Sequence, residues 1–310
     1  MIFFASVFLS LVASVRVRDG HELIEPYTNH YLAAPYKNLR MLKVPQVSSA
    51  DWMQYEKNLV NSAFSRYSGS DSIESSAEFI ESNFRVLGLD VQIESFSTSI
   101  GGQTKLAKNV IGRIVGSVPE SILIGAHYDD LPSSGPAPGA DDNASGVATM
   151  LSIARALSGF KPIRNIVFVA FSAEEQGTVG SAHFAEQMAP TMEIVSAIIL
   201  DQNGNPGSSR GIILESLGKS EENLRIIDTI ANSIDLTLNG PVVNYQGFGS
   251  DHIPLSRKGI PAVLVIERDN MQFADKYGHT ASDDLSNIDG SFGSAIANTV
   301  LEAVVRLSQA

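Results

Sequence analysis

A chain of 310 residues, 44% of them hydrophobic, has enough apolar content to bury a large core, as one α/β domain or two small ones. Its formal net charge of −12 excludes nucleic acid and an anionic membrane surface as natural partners. The absence of cysteine excludes disulfides, thiolate ligands and a cysteine nucleophile. At the N-terminus, Ile2–Val15 is uncharged and almost wholly apolar or small. It falls short of the ~20 residues a membrane span takes, and it reads as the apolar core of a secretory signal, with Ala13 and Ser14 near the cut. No lysine or arginine precedes it, so a buried strand or helix is the competing reading. Residues 1–18 are assigned to the signal, and the expected location is secreted or in the lumen of the secretory pathway or vacuole. Residues 19–60 are mixed in character and broken by Pro26, Pro35 and Pro45. They form an N-terminal extension, either an arm or a segment packed on the domain, and Trp52 within it is read as a packing residue.

The domain itself is assigned to residues 61–310. Ser70–Leu87 has the pattern of a helix, with Ile73, Ala77, Ile80, Phe84 and Leu87 on one face and Gly88 as the stop. Val91–Ser97 alternates as a half-exposed strand, and Ala107–Ile114 pairs with it across a Gly101–Gly102 hairpin. Ile122–Ala126 and Ile166–Phe171 are short apolar runs between polar turns, as buried parallel strands are. Between them, Gly139–Gly146 opens a helix that Asn143 or Ser145 caps, with Val147, Met150, Leu151, Ala154 and Leu157 facing the core. Val179–Met188 and Leu224–Ile234 read as helices, and Ile194–Leu200, Ile212–Leu214 and Ala262–Ile266 as strands. Ser291–Leu307 closes the chain as a helix. Strands alternating with helices predict a three-layer α/β/α sandwich around a mixed, mostly parallel twisted sheet.

The chemistry sits at the strand ends. His127 and Asp129 follow the first apolar run, Glu174 and Glu175 the second, and Asp201 the third, while Asp142 lies in the intervening loop. In open α/β sheets, that carboxyl edge is where sites form. Gathering these carboxylates beside His127 is costly unless cations or protons neutralise them. A pair of divalent metals would do so, and histidine with carboxylate suits zinc. Alternation puts Asp129 on the same side as His127, where it can orient the imidazole. Adjacent glutamates point apart, so one can bind metal while the other takes a proton from water.

HYD at His127–Asp129, PGADDNASG at Pro138–Gly146, AFSAEEQG at Ala170–Gly177, Asp201 in IILDQNGN, Asp251–His252 in FGSDHIPL and His279 in YGHTASDD occur in order. This series resembles the two-zinc aminopeptidases. The resemblance implies a zinc-exopeptidase-like fold, two Zn2+ per chain and peptide substrates. It gives one metal His127 and Asp201, the other Glu175 and His279, and makes Asp142 the bridge; Glu174 becomes the general base and Asp129 its companion in the catalytic set. It also implies a cis Asp142–Asn143 peptide. A monomer without stable membrane association is expected. His21, His30, His183 and His252 are left as non-ligands. Gln202 and Asn203 depart from the family pattern beside the substrate side-chain pocket. Two alternatives share the fold: a glutaminyl-peptide cyclotransferase, whose members typically carry tryptophan where this chain has Gly278, and a carboxypeptidase or dipeptidase.

Overall fold

The computed structural model describes residues 45–63, 65–132, 138–247 and 249–310, and the backbone of two short antiparallel strands, β1 (Arg16–Arg18) and β2 (His21–Leu23). Ile2–Val15, read as a signal, lies outside the described residues. Eight further strands form one sheet: β3 (Asp90–Ile100), β4 (Gln103–Ile114), β5 (Val118–His127), β6 (Arg164–Phe171), β7 (Glu193–Asp201), β8 (Gly211–Ser216), β9 (Asn239–Asn244) and β10 (Ala262–Glu267). Their spatial order is β3-β4-β6-β5-β7-β10-β8-β9. The four central strands, β6, β5, β7 and β10, run parallel, while β3, β4 and β8 pair antiparallel and β9 lies parallel to β8.

The central runs look continuously apolar because both faces are covered. Ile122, Ile124, Ile166, Phe168, Ile198, Leu200, Val263 and Val265 alternate onto one face. Leu123, Val167, Val169, Ala197, Ile199 and Leu264 alternate onto the other. The first face carries α1 (Ser49–Val60), α2 (Ile73–Val86), α3 (Gly146–Ala156), α5 (Glu221–Ala231) and α8 (Gly290–Ser308). The second carries α4 (Val179–Gln187) and α6 (His252–Arg257). The result is the expected three-layer α/β/α sandwich. Helix α7 (Asn270–Lys276) follows β10 and leads to His279. Among the described residues, no helix is long and apolar enough to cross a membrane.

The folded body begins before the expected boundary at residue 61. Helix α1 packs on α3 and α8, with Trp52, Glu56 and Leu59 all buried. The Trp52 indole Nε1 donates to Thr149 Oγ1 at 2.9 Å on α3. A methyl group at Gly293 would come within 2.3 Å of the Trp52 ring, so α8 approaches α1 there at glycine distance. The extension was hard to read as a helix because the middle of its buried face is a glutamate.

Trp52 therefore belongs to the core. Trp52→Ala is expected to remove about 3–5 kcal/mol of unfolding free energy. Urea unfolding checks this, and a loss under about 1 kcal/mol would contradict the packing of α1.

Candidate metal centre

The parallel run of β6, β5, β7 and β10 brings four strand ends to one edge. His127 is the last residue of β5 and Asp201 the last of β7, and Glu174 and Glu175 follow β6 by one turn. Asp142 arrives from the loop before α3, and His279 from the loop after α7. The Asp142 carboxylate lies between two imidazoles. Its Oδ1 is 3.4 Å from His127 Nε2, and its Oδ2 is 3.6 Å from His279 Nε2. His127 Nε2 is also 3.5 Å from Asp201 Oδ1, and His279 Nε2 is 3.1 Å from Glu175 Oε2. All five expected ligands are thus brought together in two overlapping groups that share Asp142. One atom each from His127, Asp142 and Glu175 lies within 4.8 Å of the others.

Three of these four separations, 3.4 to 3.6 Å, are too long for good hydrogen bonds, and all four match a coordination shell. Ligand atoms at ~2.1 Å on a tetrahedral ion sit about 3.4 Å apart. Glu175 Oε1 and Asp201 Oδ1 are buried and accept no hydrogen bond among the described residues. Buried acceptors without donors are costly, and a cation between them removes that cost. The donor set of imidazole and carboxylate therefore fits a divalent cation such as zinc.

Electrostatics carry the same message. Burial would push the His127 imidazole down, but Asp201, Asp129 and Asp142 outweigh it and raise its pKa well above the usual value. Contacts with Asp142 and Glu175 push His279 up to about 10. Burial opposes ionisation of Asp142, yet the two imidazoles win and hold its carboxyl below the usual range. Glu175 is pushed up to about 7 by burial and by the Asp142 charge. Glu174 is raised well above the carboxylate range, first by burial and then by Asp251 and Asp201 against the opposing pull of His127.

The cradle is fixed from behind. Asp129 is fully buried. Its Oδ1 lies 3.6 Å from His127 Nδ1 and accepts the Glu174 N–H at 3.0 Å, and its Oδ2 accepts the Glu175 N–H at 3.3 Å and Ser68 Oγ at 3.1 Å. Asp129 thus holds the backbone of the glutamate pair through its carboxylate and His127 Nδ1 through its carbonyl oxygen at 3.3 Å, from behind the cradle. The Asp142–Asn143 peptide is cis, as the resemblance implied. Asn143 caps α3 through Gly146 N–H at 2.9 Å, and its amide donates to Leu200 O at 2.9 Å, tying the Asp142 loop to the end of β7. Asn143 is also fully buried. The adjacent Asp141 turns away and accepts Gly204 N–H at 2.8 Å.

Sequence reading missed several supports. Asp283 accepts the Asp141 and Asp142 N–H groups at 2.7 and 3.1 Å. Ser250 Oγ donates to Asp201 Oδ2 at 2.8 Å. Buried Arg66 donates to Tyr128 O at 2.8 Å and Gly139 O at 2.6 Å, holding the entrance to the Asp142 loop. Gln202, flagged as a departure, donates Nε2 to Asp142 Oδ2 at 3.0 Å, so it belongs to the cradle wall. Of the five described non-glycine residues with positive φ, three lie at the site: Ala173 precedes Glu174, Gln202 follows Asp201, and His279 is itself an expected ligand. Such conformations persist where surrounding structure enforces them, and they cluster at functional sites. His252 is buried, pushed down to about 4 by burial and 3.9 Å from Glu215 Oε1, and it stays outside the cradle.

Residues 109–304 match the profile of peptidase family M28. Leucine aminopeptidase 1 of Ajellomyces capsulatus is 30% identical over 203 residues, covering 58% of this chain and 51% of that protein. The chain thus spans about half the length of the curated relatives it matches. Among solved structures, a zinc aminopeptidase from Bacillus subtilis superposes with a TM-score of 0.75 at 18% identity, covering 86% of this chain and 96% of that one. A glutaminyl cyclase from Bacteroides thetaiotaomicron gives 0.72 at 22% identity, covering 85% and 99%.

The raised imidazoles predict how the centre takes a cation. The upward shifts favour protonated His127 and His279 while no cation is bound, and both must lose a proton to ligate, so cation affinity falls as pH falls, through His279 below about 10. Calorimetric titration at about pH 7 in two buffers of different ionisation heat should show proton release on binding. Binding without proton release would contradict the assignment of the two imidazoles.

Proposed function

Because the chain belongs to peptidase family M28, we propose that it is a zinc-dependent aminopeptidase that removes N-terminal residues from peptides. The observation that carries this reading is the Asp142 carboxylate with one oxygen facing His127 and the other facing His279. A shared carboxylate between two histidine–carboxylate sets suits two cations: His127 and Asp201 on one, Glu175 and His279 on the other. Bound zinc supplies Lewis-acid polarisation of the scissile carbonyl and lowers the pKa of the attacking water.

The remaining work falls to the protein. Glu174 makes no side-chain hydrogen bond among the described residues, and burial raises its proton affinity above that of an ordinary carboxylate. Its carboxylate takes the proton from the attacking water and passes it to the departing amine, so the bond to nitrogen breaks with the amine neutral. Asp129 is fully buried behind the cradle. It positions, holding His127 and the backbone of Glu174 and Glu175 in one frame.

Specificity for the amino end is supported by relatives named as leucine aminopeptidases. Gly278 supports hydrolysis over cyclisation. A Cβ there would meet Ala274 backbone atoms at 2.9 Å, so the tryptophan expected of a cyclase does not fit without moving α7. A panel of aminoacyl-anilides, N-blocked peptides and N-terminal glutamine peptides, with and without chelator, separates the classes. Chelator-sensitive hydrolysis of the free-amine anilides and glutamine peptides, with the blocked peptides left intact, is expected; cleavage only of blocked peptides from the carboxyl end, or cyclisation of the glutamine peptides in place of hydrolysis, would overturn the proposal.

Within the glutamate pair, Glu174→Gln keeps shape and metal but removes the proton acceptor. Its rate is expected to fall about 10²–10⁴-fold with zinc content unchanged. Glu175→Gln puts a weak amide ligand in the cradle, so it loses zinc and regains part of its activity with excess metal. Elemental analysis separates the two, and zinc loss in Glu174→Gln alone would reverse the assignment.

A further inference from the structure

The turn that carries Glu174 is held at a second place, away from the metal cradle. Ser172 follows the end of β6, and its N–H donates to Asn109 Oδ1 at 3.0 Å. Asn109 is fully buried in β4. Its Nδ2 donates twice, to Glu94 Oε2 at 2.7 Å and to Gly180 O at 2.9 Å. Every hydrogen-bonding atom of the amide is therefore used. Because the Glu94 carboxylate only accepts, the amide nitrogen must face it, and the carbonyl oxygen must face Ser172.

Glu94 stands directly opposite Asn109 across the β3–β4 ladder and is itself buried. Its other oxygen, Oε1, lies 2.8 Å from His183 Nδ1 on α4. The His183 ring stacks on Phe96, centroids 4.3 Å apart and planes 14° apart. The chain His183–Glu94–Asn109 thus ends on the backbone of Ser172, two residues before Glu174. Between them Ala173 has φ 58°, a left-handed conformation that an alanine rarely adopts unaided. The space around this turn is full: a Cβ at Gly180 would lie 2.1 Å from Ser172 O and 2.6 Å from Asn109 Oδ1.

We propose that Asn109, locked by Glu94 and His183, is a positioning residue for the proton-accepting carboxylate of Glu174. Asp129 grips the turn after Ala173, at the Glu174 and Glu175 N–H groups, and Asn109 grips it before Ala173, at the Ser172 N–H. Two grips on either side of one left-handed residue fix where the Glu174 side chain leaves the backbone. Releasing the Asn109 grip leaves both glutamate N–H groups on Asp129, and with them Glu175 in the cradle, but frees the Ser172 end of the turn, so the left-handed Ala173 can relax and change the direction in which the Glu174 side chain leaves the backbone. None of Asn109, Glu94 and His183 is among the expected ligands. This inference rests on Glu174 being the base.

The test is a double-mutant cycle read in kcat on the best aminoacyl-anilide, with zinc content and thermal midpoint recorded for each variant. Asn109→Ala should lower kcat roughly 10–100-fold, with KM and zinc content little changed. In the Glu174→Gln background, the same substitution should cost almost nothing more, since there is no base left to misplace. A purely structural role would lower both backgrounds alike, so an undiminished loss in Glu174→Gln overturns the proposal, as does Asn109→Ala with kcat within about twofold of the parent. If Asn109→Ala does not fold, Glu94→Ala is read in its place. It should lower kcat roughly tenfold, with most of that loss recovered in Glu94→Gln, which keeps an acceptor for the Asn109 amide. Equal kcat in the parent, Glu94→Ala and Glu94→Gln overturns the proposal. Loss of activity on Glu174→Gln together with normal activity in the Asn109 and Glu94 variants sinks the positioning inference alone. Normal activity in Glu174→Gln sinks the reading beneath it.

Discussion

Carboxylates repel, and water is what usually lets them stand close. At the carboxyl edge of this sheet, Asp142, Glu175, Asp201 and Glu174 converge where little water reaches, with Asp129 and Asp251 fully buried behind them. Such a cluster is stable only if protons or positive charge neutralise it. The two imidazoles supply some of that charge when protonated, and two divalent cations would supply it in full while displacing those protons. The fold can be understood as the means of meeting this one constraint. Parallel strands bring the groups to a common edge, and the loops after them set the ligand spacing.

Rigidity comes from a second set of polar groups that never enters the cradle. Asp129, Asp283 and Asn109 each accept backbone N–H groups from ligand-bearing segments. Asn143 and Ser250 join the Asp142 loop and Asp201 to their neighbours. Charge-assisted bonds from main-chain donors to buried carboxylates are short and strong. They fix backbone as well as side chain, so the ligand atoms are preorganised before any cation arrives. Arg66 and Ser68, which lie before the segment matched to the peptidase family, contribute to the same frame.

The central strands were legible because their apolar runs are buried on both faces and end abruptly in ionisable residues. The five expected ligands stood out because each sits at a strand tip or in a distinctive loop motif, and the structure brings them together. Helix α1 was not legible, since Glu56 occupies the middle of its buried face and breaks the apolar stripe. Strand β9 was not, because Asn239, Gly240 and Pro241 are poor strand formers, tolerated only because β9 is the edge of the sheet. Asn109, Asp283 and Ser250 were invisible for another reason. Each is an ordinary polar residue whose partner lies 49 to 142 positions away, and no local pattern encodes such a contact.

The central claim is that Asp142 lies between two cations. Anomalous diffraction at the zinc edge from zinc-loaded crystals tests it most directly. The account predicts two peaks, one against His127 and Asp201 and one against Glu175 and His279, each also in contact with an oxygen of Asp142. A single peak, or a peak bound by Asp141 with Asp142 turned away, would contradict it.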